Sequence, residues 1–234
     1  MPNIIKTVIT SVLAPPPKGA NLVIFADPRS YVAELDSHQM LAAAARYAVR
    51  HKVYLVPERF IAAGSLCLCM LAPDGSVLGV QRACHLNVSM RQLNLVRANK
   101  IVPFDTPLGR IALLVDVDIN MPQTARAAAV SGAGLIISSQ YMPLYDFFED
   151  RINYGPVNAA RSNGLSVISA IGMGGVAVNE YGEITSHYSE NLPILSVVAP
   201  HPPLTDADSM LTAEKLMKIH SDLIYEPTEV ASDE

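Results

Sequence analysis

The feature that most constrains this chain is an ordered alternation. Short β-branched apolar runs are separated either by alanine-rich stretches at helical spacing or by a tight glycine turn. An apolar strand beside a one-sided helix has to be layered, so the alternation points to stacked sheets and helices. Asn21 to Ala26 reads as a buried strand. Asp36 to His51 places Met40, Leu41, Ala44, Ala45 and Ala48 on one helical stripe, and Val53 to Val56 is the next strand. Leu66 to Ala72 and Val77 to Gln81 flank Pro73-Asp74-Gly75, where glycine can take a positive φ, which predicts a hairpin. Ile111 to Val115 is a fully apolar strand. Pro122 to Ser131 is a helix that tolerates proline in its first turn, and Leu135 to Ser138 follows as a strand. A helix over Asn153 to Asn163, a strand over Leu165 to Ala170 and a second hairpin, Val176 to Asn179 with Glu183 to His187, complete the pattern. Pro193 to Val198 reads as a last strand and Asp206 to Ile224 as an amphipathic helix. Ile4, Ile5, Val8, Ile9 and Val12 recur at helical spacing, so residues 1–19 are expected to form a helix and linker. No Ser/Gly-rich linker divides the chain. One domain over residues 1–234 is predicted, with a C-terminal helix and frayed tail over 205–234.

Charge narrows the partners. The chain has 17 Lys and Arg against 22 Asp and Glu, a formal charge of −5, and no basic run. Nucleic acid and anionic membrane are therefore not expected partners. No apolar stretch reaches the roughly 18 residues a membrane span needs, and Lys6 with Pro15-Pro16-Pro17 does not fit a signal peptide, so a cytoplasmic protein is expected. The three cysteines, Cys67, Cys69 and Cys84, fit neither a disulfide framework nor a four-ligand zinc site and read as reduced thiols.

Several motifs then occur in one order. They are Leu22-Val23-Ile24-Phe25-Ala26-Asp27, Ala72-Pro73-Asp74-Gly75, Arg82-Ala83-Cys84-His85-Leu86, Gly109 to Asp118, Met121-Pro122-Gln123-Thr124-Ala125-Arg126, Ala159-Ala160-Arg161-Ser162-Asn163-Gly164 and Gly174-Gly175-Val176-Ala177-Val178-Asn179. Together they resemble the nitrilase, or carbon-nitrogen hydrolase, superfamily, with the match running from about Asn21 to Val198. The resemblance implies a four-layer α-β-β-α sandwich, commonly paired into a homodimer. It also implies amidase-type chemistry by a Cys nucleophile, a Glu base and a Lys that stabilises the oxyanion. A thiolate attacks the carbonyl or nitrile carbon, a carboxylate shuttles its proton to the leaving nitrogen, and an ammonium holds the developing charge.

None of the three residues matches. The family's Glu falls on Asp27, its Lys on Ala83 within Arg82-Ala83-Cys84-His85-Leu86, and its Cys on Asp116, with Asp118 and Arg126 in place beyond it. A slipped alignment rescues nothing, because no cysteine follows Cys84 and no lysine lies between Lys52 and Lys100. Glu58 in Val56-Pro57-Glu58 mimics the family's Phe-Pro-Glu, but only 16 positions separate it from Asp74, so it reads as a decoy. The late start predicts that the first strand of the family's sheet is missing, a sandwich shortened at its N-terminus.

The candidate pocket is Asp27, Arg82, His85, Asp116, Asp118 and Ser139. Asp27 and Asp116 should meet at neighbouring strand ends, where two carboxylates cannot both ionise cheaply. Three functions are open to them: a nucleophilic Asp, a hard-cation site of Asp27 and Asp116 oxygens, or a remnant pocket for an amine. The structural alternative makes Asp116 a solvated carboxylate and Asp118 the partner of Arg126. His85 reads as a hydrogen-bonding histidine on the pocket floor, and Cys84 beside it points to the opposite face. Gly172, Gly174 and Gly175 read as turn glycines and not as a phosphate cradle, since no helix follows them, and no cofactor is expected. The sum is a non-catalytic binding or regulatory homodimer whose ligand is an amine or a cation such as Mg²⁺ or Ca²⁺, unless Arg82 folds inward. The alternative is a divergent hydrolase using Asp116 as its nucleophile.

Overall fold

A computed structural model describes residues 4–11, 14–26, 31–141, 149–172, 174–187 and 195–198. Asp27 and the helix expected over 206–224 lie outside them. The strands are β1 (Ile4–Thr10), β2 (Leu22–Phe25), β3 (Tyr54–Val56), β4 (Phe60–Ala62), β5 (Ser65–Leu71), β6 (Val77–Arg82), β7 (Phe104–Thr106), β8 (Gly109–Val115), β9 (Leu135–Gln140), β10 (Ser166–Ile171), β11 (Gly174–Val178), β12 (Ile184–His187) and β13 (Leu195–Val198). The helices are α1 (Glu34–His51), α2 (Val88–Gln92), α3 (Pro122–Val130) and α4 (Glu149–Asn163), with a 3₁₀ turn at Asp116–Asn120.

Two sheets face each other. The first runs β13-β1-β2-β3-β5-β4 with β6 also on β5, and the second runs β12-β11-β10-β9-β8-β7. Period-two alternation sorts each strand between two cores. Leu66, Leu68 and Met70 of β5 meet Ile111, Leu113 and Val115 of β8 between the sheets. Cys67, Cys69 and Leu71 turn outward onto Ala44, Tyr47 and Ala48 of α1. Ala112 and Leu114 of β8 turn the other way, among the alanines of α3 and Ala159 and Ala160 of α4. The layers are therefore α-β-β-α.

The N-terminus corrects the expectation. Residues 4–10 are a strand, not a helix, and β1 lies parallel to β2 with Val8 opposite Val23. The first strand expected to be missing is present. Six of its seven residues are β-branched, which favours extended backbone, and a parallel neighbour outweighs an apolar spacing that also suits a helix. Gly172 is the turn glycine expected, with φ +44°, whereas Gly174 and Gly175 are not turn residues: they begin β11, paired with Ile171 and Ala170 of β10. At Gly175 an added Cβ would lie 2.2 Å from Ile9 Cδ1 and 2.6 Å from the Ser169 carbonyl oxygen, so its missing side chain lets the two sheets approach.

The three thiols are free and buried. Burial raises all three thiol pKa values, that of Cys69 to about 12 from 9.0. Thiol-disulfide reagents should therefore label almost nothing in the native protein at pH 7.5 and three equivalents in denaturant. Because the unfolded Cys69 ionises first, the native state holds more protons between about pH 9 and 12. Stability should fall as pH rises through that window, and urea titrations at pH 8 and 10 would check it.

Candidate functional site

Several segments end at one edge of the sandwich. The 3₁₀ turn follows β8, Tyr141 follows β9, Ala83 to His85 follow β6, and residues 57–59 follow β3. Val115 and Ser139 are register partners on β8 and β9, which puts the buried Ser139 beside the turn. Asp116 opens that turn with φ +52°, a left-handed backbone that costs a non-glycine residue energy.

Asp116 is 1% exposed, and both of its carboxylate oxygens accept hydrogen bonds. Arg59 Nη1 donates to Oδ1 at 3.0 Å, the Tyr141 backbone N–H donates to the same oxygen at 2.9 Å, and Asn87 Nδ2 donates to Oδ2 at 2.9 Å. Asn87 is itself oriented, since its Oδ1 caps α2 by accepting from the Met90 N–H at 2.9 Å. Arg59 is 1% exposed, and its guanidinium carbon lies 5.9 Å from the Tyr141 ring centroid. Burial pulls the Arg59 pKa down while Asp116, the second influence, pushes it back up. The solvated Asp116 offered as the structural alternative is replaced by a buried ion pair.

Asp118 is fully buried and equally committed. Its Oδ2 accepts from the Cys84 N–H at 3.0 Å, and its Oδ1 takes the His85 N–H at 2.8 Å and His85 Nδ1 at 2.9 Å. Burial pushes its carboxyl up, opposed by these same donors. The partner expected in Arg126 is thus supplied by His85. Thr124 Oγ1 donates to the Asp118 carbonyl and ties the turn to α3.

The structure thus brings Asp116, Asp118, His85 and Ser139 to one strand-end region. Ala83 is buried beside them, its N–H bonded to the Leu66 carbonyl. Arg82 is exposed on β6, and the positive charge that reaches Asp116 comes from Arg59. Sequence reasoning missed Arg59 because its partner lies 57 positions away. The available signal was an arginine wedged between the apolar Leu55-Val56 and Phe60-Ile61. Among the described residues no three His, Cys, Asp or Glu side chains cluster closely enough to hold a metal ion. No helix among them is long and apolar enough to cross a membrane.

Neither a family model nor a curated protein matches the sequence. Solved structures do match. A carbon-nitrogen hydrolase from Helicobacter pylori G27 superposes with TM-score 0.69 at 17% identity, covering 97% of this chain and 97% of that one. The chain has the nitrilase-superfamily fold. An amidase from Nesterenkonia sp. superposes with TM-score 0.68 at 18% identity over 94% of this chain and 95% of its own. A butyramide complex of a variant of that amidase gives 0.65, at 18% identity over 94% and 95%. The nitrilase fold accounts for the four layers found here and for β1, which completes the first sheet beside β2.

Proposed function

We propose that this chain is a non-catalytic member of the nitrilase superfamily that works in the cytoplasm as a binding or regulatory homodimer. The observation that carries this reading is the state of Asp116. The motif match puts it where the family has its thiol, and both its oxygens are held by Arg59, Tyr141 and Asn87. A nucleophile needs a lone pair aimed at substrate, and a carboxylate locked on a guanidinium offers a weak one. Ala83 offers no ammonium, and loss of one oxyanion donor alone typically costs about 10²- to 10³-fold. Arg59 also changes the ligand. Two unbalanced carboxylates favoured an amine or divalent ion, whereas a cation seated on Asp116 would compete with a guanidinium whose Nη1 already lies 3.0 Å from Asp116 Oδ1.

One observation favours the second reading, a hydrolase with Asp116 as nucleophile. The φ of +52° at Asp116 is the strained geometry that nucleophile turns use to expose a side chain. Ammonia release from a panel of amides, nitriles and N-carbamoyl compounds separates the two, with Asp116→Asn as control and circular dichroism to confirm that it folds. Release at the blank rate supports the non-catalytic reading. Turnover that disappears in the folded control overturns it. Light scattering on the same sample should give twice the 25.2 kDa chain mass, and the monomer mass would remove the dimer.

A further inference from the structure

Asp116 and Arg59 are each 1% exposed, so a ligand reaches them only when a covering segment moves. Three segments bond the Asp116 carboxylate, and two of them belong to the sheets. Tyr141 directly follows β9, an interior strand of the second sheet. Arg59 is bracketed beside β4: the Val32 N–H donates to its carbonyl, and the Ile61 N–H donates to the Val32 carbonyl. The third donor, Asn87, stands at the head of α2, which lies outside both sheets.

Residues 86–95 form a strap between two fixed roots. At one root the Cys84 and His85 N–H groups are held by Asp118. At the other the Val96 N–H donates to the Gly64 carbonyl and the Ala98 N–H to the Ala83 carbonyl. Between the roots the bonds are internal: Arg91 Nε donates to the Leu86 carbonyl, the Leu93 N–H to the Ser89 carbonyl and the Leu95 N–H to the Met90 carbonyl. Asn94 turns the chain at φ +55°, a left-handed conformation that asparagine tolerates better than most residues. Among the described residues, the one hydrogen bond from the strap to the rest of the protein is Asn87 Nδ2 to Asp116 Oδ2 at 2.9 Å. Leu86 and Met90 are buried in the core between the sheets, in one cluster with Val115, which directly precedes Asp116. With five residues α2 is too short to hold a helix unaided, so it depends on the Asn87 cap and on these two side chains.

We propose that residues 86–95 are a lid over Asp116, with the bond between Asn87 and Asp116 as its latch. When the latch opens, the cap on the Met90 N–H loosens with it, because the same side chain makes both bonds. Lifting α2 withdraws Met90 from the edge of the core and uncovers the Asp116 oxygen that Asn87 held. The lid gives access whether Asp116 binds a ligand or attacks one, so it is independent of the choice between those two readings.

Labelling of carboxylates in the full chain with a water-soluble carbodiimide and glycinamide, read by mass spectrometry, tests this. Asp105, with a side chain 79% exposed, is the open control, and Asp116 should label far more slowly in wild type. Asn87→Leu removes latch and cap together and should speed Asp116 labelling about tenfold, since a lost cap alone accounts for roughly fivefold. Val88→Pro should act the other way. Residue 88 is the first of α2, where proline is well tolerated, and Asn87 already has the extended backbone that precedes a proline, so labelling should slow about two- to fivefold. The Met90, Arg91, Leu93 and Leu95 amides should change their hydrogen exchange in step with the labelling. Cys67 and Cys69 are buried under α1, away from the lid, and should stay closed to a thiol reagent in both variants. Asp116 labelling that equals that of Asp105 in wild type, or that is unchanged by both variants, overturns the proposal. Labelling that rises only together with that of Cys69 also overturns it, because the whole protein is then opening.

Discussion

Arg59→Met should destabilise the protein by about 3–5 kcal/mol, the usual cost of stripping one partner from a buried ion pair. The mechanism is desolvation. Asp116 at 1% exposure would keep the Tyr141 N–H and Asn87 but lose the only guanidinium within reach among the described residues. For a chain of 234 residues this is a melting-temperature loss of roughly 10 °C or more. Asp116→Asn should cost a comparable amount, because it strands the buried cation instead. The double variant Arg59→Met/Asp116→Asn should recover a large part of either loss, since neither charge is then left alone. Urea denaturation of the four proteins gives the coupling directly. Single variants within about 1 kcal/mol of wild type would show that water already reaches the pair.

Asp118→Ala should cost a similar amount by a different route. One small side chain serves three donors, the N–H groups of Cys84 and His85 and His85 Nδ1, in a place without solvent. Each buried donor left without an acceptor costs about 1–3 kcal/mol. Asp118→Asn keeps one acceptor oxygen and should fall between wild type and alanine. Thermal unfolding of both variants, with hydrogen exchange at Cys84 and His85, checks the order. Equal stability for Asn and Ala would mean that the carboxylate's second oxygen carries the interaction.

Much of the fold was legible in the sequence for local reasons. The Pro73-Asp74-Gly75 turn and the alternation beside it define the β5–β6 hairpin without reference to anything distant. Apolar runs such as Ile111 to Val115 are buried on both faces, and their composition alone says so. What was not legible depended on distant partners. Ile4 to Thr10 becomes a strand because β2 lies beside it, and a helical reading of the same apolar spacing contains no sign of that neighbour. Arg59 was missed for the same reason: despite its apolar flanks, an arginine next to Glu58 reads as surface until the fold brings Asp116 to it. Asp116 and His85 were placed through motif order, yet their partners Asn87 and Tyr141 follow only from loop geometry. Arg82 carried the right charge for the site, but on β6 it faces outward.

The pairing of β1 with β13 bears on how the chain is made. Ile4 is the register partner of Val198, so the strand Ile4 to Thr10 is made long before the strand that pairs with its outer edge. Until then the β-branched Ile4 to Thr10 has β2 on one side and unpaired N–H and C=O groups on the other, an open edge that can pair with another nascent chain. Contacts of such long sequence separation form late because their loop-closure entropy must be met first. Synthesis therefore has a vulnerable interval that ends only when residues 195–198 arrive. Stalled or shortened products that stop before Leu195 should collect in aggregates, whereas a chain that includes residues 195–198 closes this edge itself.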